Sequence, residues 1–329
     1  MGKIQAFKDT YGGESAIRLT AGLYEAVILP EYGGNLVAFR DTIKGWNFLR
    51  EPEHEMEMFK QKPAVYGIPV LFPPNRYEDG QFPWDGQTYE LSINEPDRHN
   101  HLHGFLHTTP WEIEDFGTTQ HHSYVTVSIT VNEQHPVYAQ FPFQFTMKLQ
   151  YTLGADGLSQ RIWIHNDGDK RLPCLLAFHT AINAPFIPGS QASNYQVKLT
   201  VGERWEMNER MLPTGRKLPV SPTDHSLREG TLHPFSENLD HHYTVAPQNG
   251  RNRMELTDTV QQVTLVYDVG TSYKQWMIYN NEGTPGFFCP EPQVNLVNAP
   301  NISLPAEEIG LFGLECGEIW EETARIYIK

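Results

Sequence analysis

The sequence predicts an all-β protein, a large antiparallel β-sandwich, on three observations. Segments of alternating apolar and polar residues recur along the chain and are rich in β-branched and aromatic side chains. Clusters of Gly, Pro, Asn and Asp separate them, as a chain with 26 Gly and 24 Pro can supply. No long segment carries apolar residues at i, i+3, i+4 and i+7, the stripe that an amphipathic helix needs.

Taken in order, GLYEAVILPEYGGNLVAFRD (22–41) reads as two strands about a Pro/Gly turn. SYVTVSITV (123–131) and FTMKLQYTL (145–153) alternate, and GADG (154–157) turns the chain into SQRIWIHN (159–166). NDGD (166–169) stops that strand. YQVKLTV (195–201), VQQVTLVYD (260–268) and TARIYIK (323–329) read as further strands, with NEGTPG (281–286) as a breaker. The polar stretch 202–244 shows no such period, so it is expected to be an irregular excursion that lines a site or covers a sheet edge. With no linker and no repeat, a single domain over residues 1–329 is expected.

Composition narrows the function. Forty acidic against 25 basic residues give a formal charge of −15, a field that repels nucleic acid and anionic membranes. No Lys/Arg-rich run offsets it, so neither is expected as a partner. A neutral small molecule is indifferent to that field. Cys174, Cys289 and Cys316 are far apart and odd in number, which argues against a disulfide framework. The opening MGKIQAFKDTYGGES has no apolar core of a signal peptide, and no run approaches the length of a membrane span. A soluble, cytoplasmic protein is expected; the oligomeric state is not legible.

Residues 99–113, HNHLHGFLHTTPWEI, hold four histidines: His99, His101, His103 and His107. On a strand, alternate residues share a face, so His99, His101 and His103 have a spacing that suits a metal. Against this, the first Glu follows only at position 112, and Gly104 suggests a bend just after His103. Three readings stay open from the residues alone: a metal site, polar groups at a strand end, or one histidine used in acid–base chemistry or ligand binding.

The surrounding motifs resemble the aldose 1-epimerase (galactose mutarotase) family. They begin with Gly67-Ile68-Pro69, Asn75-Arg76 before a Gly-containing turn, Leu102-His103-Gly104 and Pro110-Trp111. LLAFHTAINAPF (175–186), LDHHY (239–243), KQWMIYNN (274–281) and CPEPQVNLVNAPN (289–301) follow in the family's order, and LPAE (304–307) comes last. Each motif is weak alone; in register they cover most of the chain. The resemblance implies a galactose mutarotase-like supersandwich, which agrees with the strand reading. It also implies that His103 alone of the four histidines occupies a functional position, so no metal is expected.

The implied reaction interconverts the α and β anomers of a free sugar. A base takes the C1 hydroxyl proton while an acid protonates the ring oxygen, on opposite sides of the ring bond; the ring opens, C1–C2 rotates, and closure reverses the roles. No cofactor is needed. By the resemblance Glu291 is the base and His179 the acid. Arg76 and His103 hydrogen-bond the sugar, Asp240 grips ring hydroxyls, and Asn75 and Gln293 are further candidates for hydroxyl contacts. Without the resemblance, Glu291 and Asp240 would read as solvated acids, His179 as a core histidine and Arg76 as half of a surface ion pair.

Two departures stand out. Where the family's histidine is commonly followed by Pro-Tyr-Phe, this chain has Thr180, Ala181 and Ile182, and the late Pro-Gly-Glu is Pro305-Ala306-Glu307. The first touches the wall beside the acid and so bears on substrate preference and turnover. The leading expectation is an epimerase of a neutral hexose such as glucose or galactose. A hexose-6-phosphate epimerase would need several basic groups to meet a dianion, and Arg76 is the only arginine in the matched motifs. A non-catalytic sugar-binding module would not need both Glu291 and His179. A metal hydrolase built on the histidine run lacks a carboxylate at the right spacing.

Overall fold

The computed structural model describes residues 3–329. Strands Gln5–Tyr11, Glu14–Ala21, Tyr24–Leu29, Asn35–Asp41 and Trp46–Asn47 follow one another in a five-stranded antiparallel meander. The segment 22–41 is two strands about a turn, as its pattern predicts. Gly33 in that turn has φ +71, and a Cβ there would lie 2.6 Å from the His107 Cα. The turn therefore packs directly under the histidine-rich segment, an approach only glycine allows.

A first eight-stranded sheet orders Glu112–Thr118, His122–Val131, Phe145–Gly154, Gly157–Asn166, Ile319–Ile328, Val263–Gly270, Asn252–Asp258 and Tyr195–Leu199. All of these pairings are antiparallel. Phe145, Met147, Leu149, Tyr151 and Leu153 are buried while Thr146, Lys148, Gln150 and Thr152 are half-buried, so one face meets the core and the other meets solvent. The last strand, Ile319–Ile328, sits between Gly157–Asn166 and Val263–Gly270, which ties the end of the chain to its middle.

A second sheet orders Pro213–Lys217, Val201–Met207, Asp240–Val245, Gln275–Tyr279, Gly286–Gln293, Ala177–Phe178 and Val70–Leu71, with Ile182–Ala184 also paired to Gly286–Gln293. Buried side chains from all three sheets, Ile17 through Ile326, form one continuous apolar cluster between them. The antiparallel β-sandwich expected from the sequence is present. The helices are short, and among the described residues no helix is long and apolar enough to cross a membrane.

Two expectations need correction. The strand read over 195–201 is two strands: Tyr195–Leu199 belongs to the first sheet and Val201–Met207 to the second. Thr200 makes the crossing, pinned to Arg253 by its N–H donating to the carbonyl (3.1 Å) and its Oγ1 accepting from the Arg253 N–H (2.9 Å). Leu199 and Val201 are both buried, so the alternation runs on through the switch and hides it. The stretch 202–244 does form a sheet edge, as expected, but it carries more regular structure than its sequence suggests. It holds the edge strands of the second sheet and the helix Pro222–Glu229, capped by Ser221 and Asp224 and closed by Gly230 at φ +81. It is polar because an edge strand such as Pro213–Lys217 is mostly solvent-facing.

Candidate active site

Alternation along three neighbouring strands of the second sheet separates a core face from a site face. Tyr243, Trp276, Ile278 and Phe288 point into the apolar core. The residues between them stand on the opposite face in register: Asp240 beside Tyr279 beside Cys289, then His242 beside Met277 beside Glu291. Gln293 continues the row next to Gln275 and Ala177. Prolines at 290 and 292 flank Glu291 and point away with the core-facing set, which leaves Glu291 at the middle of the site face.

His179 reaches the same face from the strand Ala177–Phe178, which lies between Val70–Leu71 and Gly286–Gln293. Its N–H donates to the Pro69 carbonyl at 3.1 Å. Its Nε2 is 3.2 Å from Glu291 Oε1, with Glu291 fully buried and His179 5% exposed. The two are close, but the ring N–H is not directed at the carboxylate. Both Glu291 oxygens and His179 Nδ1 have no hydrogen-bond partner within the protein.

Arg76 and His103 are brought together by a short two-stranded ladder in which Leu102 faces Arg76. The His103 N–H donates to the Asn75 carbonyl at 2.8 Å. Asn75, His103 and Gly104 all have positive φ, so the chain folds back on itself here. A Cβ on Gly104 would lie 2.3 Å from the Phe72 carbonyl oxygen, so no other residue fits that bend. The bend expected after His103 is present, and it turns the His103 ring edge-on to His179, with centroids 5.4 Å apart.

The other histidines of the segment separate. His99 is exposed and pairs with Asp79 at 2.9 Å, away from the site. His101 is buried and its Nδ1 meets the Ser92 carbonyl at 2.7 Å. His107 is buried edge-on behind His103, centroids 6.3 Å apart, and supports it from the rear. The run does not converge on a common point. Among the described residues, the group of three metal-capable side chains is a different one: His179, Cys289 and Glu291, whose ligand atoms all lie within 4.8 Å of one another.

Electrostatics follow from burial. Desolvation pushes the Glu291 carboxyl well above the usual carboxylate range; the nearby Asp240 charge adds to this and Arg76 opposes it. Burial lowers His179 to about 4, His107 to about 4 and His242 to about 3. His103 is held well below the usual imidazole range, first by burial and then by His179. Asp240 is raised by burial, with Arg76 and Arg98 pulling the other way. Arg76 is thus the cation that steadies this pocket. Glu95, which the motifs did not single out, aims it: Arg76 Nε and Nη2 donate to its carboxylate at 3.0–3.1 Å, and Asn100 and Arg98 hold that carboxylate in turn.

The seven residues expected at the site come from one neighbourhood: Asp240, Glu291 and Gln293 share the sheet face, His179 lies against Glu291 and His103 against His179, and Arg76 acts on Glu291 while touching Asn75. Asn75 Nδ2, His103 Nδ1, Asp240 Oδ1 and both polar atoms of Gln293 also lack protein partners. A buried polar group without a partner costs about 1–3 kcal/mol. So many on one face suit a ligand dense in hydroxyl groups. Tyr279 stands beside His179, ring centroids 6.2 Å apart, and Ala181 packs with Phe287 and Cys289 to form the wall past His179. The second departure lies at the short helix Ala306–Ile309, which Pro305 precedes: Glu307 is exposed, and the Glu308 carbonyl accepts from Gln275 Nε2 at 3.3 Å, beside Gln293. Beyond Tyr279 and Phe287 opens a cleft of about 880 Å³ that includes Arg50 and Tyr66.

Comparison with known proteins agrees with this fold. The family model for aldose 1-epimerase matches residues 15–327. A galactose mutarotase-like protein from Clostridium acetobutylicum superposes with a TM-score of 0.95 at 32% identity, covering 99% of this chain and 98% of that one. Galactose 1-epimerase from Lactobacillus acidophilus NCFM shares the fold at a TM-score of 0.75 and 15% identity, over 99% of each chain. The Escherichia coli K12 protein YihR, itself uncharacterized, is 26% identical over 243 residues, 73% of this chain and 67% of its own. Matched over nearly its whole length, the chain belongs to the aldose 1-epimerase family.

Proposed function

We propose that this protein interconverts the α and β anomers of a free neutral hexose, such as glucose or galactose, with Glu291 and His179 as the proton-transfer pair. One observation carries the reading: a fully buried carboxylate without a hydrogen-bond partner lies 3.2 Å from an imidazole, among groups suited to hydroxyls. The C1 hydroxyl oxygen and the ring oxygen are both bonded to C1. A carboxylate and an imidazole standing side by side can therefore address one oxygen each, without sitting across the ring.

Glu291 takes the proton from the C1 hydroxyl, the C1–ring-oxygen bond breaks, and His179 delivers a proton to the departing oxygen. The open aldehyde rotates about C1–C2. Closure then runs with the roles exchanged: the ring hydroxyl returns its proton to His179 while the protonated Glu291 gives its proton to the new C1 oxygen. The pair holds one proton before and after each half, so nothing is consumed. Arg76, held by Glu95, supports the ionised form of Glu291 that opening requires, and His103, Asp240, Asn75 and Gln293 hold the hydroxyls.

A hexose bearing an anionic group is the second reading, and Arg50 favours it. Its guanidinium lies over the Tyr66 and Phe287 rings at 4.1 and 4.2 Å, in the cleft that opens past Tyr279. Polarimetry with freshly dissolved α-glucose, α-galactose and glucose 6-phosphate separates the readings. Faster decay of rotation with the neutral sugars supports the first, and a clearly higher kcat/KM for the phosphate supports the second. No acceleration with any sugar that binds would leave a binding module.

A further inference from the structure

We propose that His179, Cys289 and Glu291 form a seat for a zinc-like divalent cation, whose occupation excludes sugar and silences the proton-transfer pair. Cys289 has no part in the ring-opening steps, yet it shares the site face with Glu291 two residues on, and His179 approaches both from the adjoining strand. The three ligand atoms lie within 4.8 Å of one another and all three residues are buried. Thiolate, imidazole and carboxylate are the donors that zinc takes in mixed sites, with bonds of about 2.0–2.3 Å, which puts neighbouring ligand atoms about 3.4–3.6 Å apart. His179 and Glu291, at 3.2 Å, already have nearly that spacing, and a modest side-chain rotation brings the sulfur in.

The second observation is the orphaned carboxylate. Neither Glu291 oxygen has a partner in the protein, so ligation satisfies a buried acceptor without breaking a bond already made. Three protein ligands leave a fourth position open toward the pocket, the arrangement of an accessible rather than a closed zinc site. The unpartnered His179 Nδ1 means that no second group fixes the ring, so the cation is expected to be removable. The inhibitory consequence rests on the acid–base roles given above; the seat itself does not.

Titration of the apo protein with Co²⁺, followed by absorption, reads the seat without any turnover. A thiolate-to-cobalt charge-transfer band that Zn²⁺ displaces is expected. It should be lost in Cys289→Ser and kept in Cys316→Ser, whose exposed thiol is the control. In polarimetry, Zn²⁺ should stop mutarotation and a chelator restore it. Relative to its own metal-free rate, Cys289→Ser should need at least about 100-fold more zinc for the same inhibition, since loss of even an outer partner of a metal ligand costs 10–100-fold. Should the buried Cys289→Ser fail to fold, Glu291→Gln keeps the thiol and is expected to weaken Co²⁺ binding by a similar factor. A missing band in the wild type overturns the seat, as does a band or affinity unchanged in Cys289→Ser or Glu291→Gln. A band without inhibition overturns only the exclusion of sugar.

Discussion

His179 Nε2 and Glu291 Oε1 are 3.2 Å apart in a pocket where neither group reaches solvent freely. Two titratable groups so close do not ionise independently; the proton they share belongs to the pair. Burial favours the arrangement with the proton on the carboxyl and a neutral imidazole, because that form places no charge in the apolar surroundings. Arg76 pulls toward the ionised carboxylate. Burial therefore sets the resting form, and Arg76 eases the passage to the ionised carboxylate that the proposed ring opening needs.

Removing either end of that pair should therefore cost turnover rather than binding. Glu291→Gln keeps shape and hydrogen-bonding capacity but cannot take up a proton, and His179→Asn likewise loses the titratable group. Each is expected to lower kcat by about 10²–10⁴-fold with a smaller change in KM. Saturation-transfer NMR with galactose checks that the variants still bind. A Glu291→Gln enzyme within a few-fold of wild type removes Glu291 as the base.

The pH profile follows from the same pair. Activity needs one shared proton. As pH falls, a second proton arrives only near the His179 value of about 4; as pH rises, the shared proton leaves only above the ordinary carboxylate range, where burial holds Glu291. The expected kcat/KM is a broad plateau with its acid limb near pH 4, not a loss of activity centred at the ordinary imidazole value of about 6.5. An acid limb centred near 6.5 would mean that His179 titrates as an ordinary exposed imidazole.

Glu95 touches no sugar in this account, yet it should behave like a binding residue. Its carboxylate takes two forked contacts from Arg76 and holds the guanidinium toward Asn75. Arg76→Ala and Glu95→Ala are both expected to raise KM by roughly tenfold or more, the order of one charge-assisted hydrogen bond at about 1.5–3 kcal/mol. Steady-state kinetics of the double variant tests the link: its KM should resemble that of Arg76→Ala alone. Fully additive effects would show that Glu95 acts elsewhere.

Much of this was legible in the chain, for reasons that differ by residue. The strand Phe145–Gly154 announces itself because one face is buried and the other wet, and the period of two survives in its sequence. Asp240, Glu291 and Gln293 were found through family motifs, but their common face is a matter of cross-strand register that no local pattern records. Glu95 lies 19 residues from Arg76 and meets it only through the fold. Nothing near Cys289 in sequence reveals His179 as its neighbour, so its place beside the pair emerges only from the fold. The switch at Thr200 was invisible because both flanking residues are buried and the alternation never breaks.

Stability separates a functional glutamate from a structural one. Burial raises the folded-state pKa of Glu291 above its ordinary value of 4.5. A raised carboxyl contributes fully to stability below the unfolded-state pKa, and that contribution is lost as pH climbs toward the folded value, because the unfolded chain releases its proton first. Glutamine has no proton to release. Glu291→Gln should thus equal the wild type in stability at about pH 4, near the unfolded carboxyl value, and exceed it increasingly toward neutrality. A gain of about 0.5–2 kcal/mol is the usual size for such a relieved site. Urea denaturation of both proteins at acid and neutral pH measures it. If the variant is less stable at neutral pH, the carboxylate is holding the fold together, and its burial beside His179 serves structure rather than catalysis.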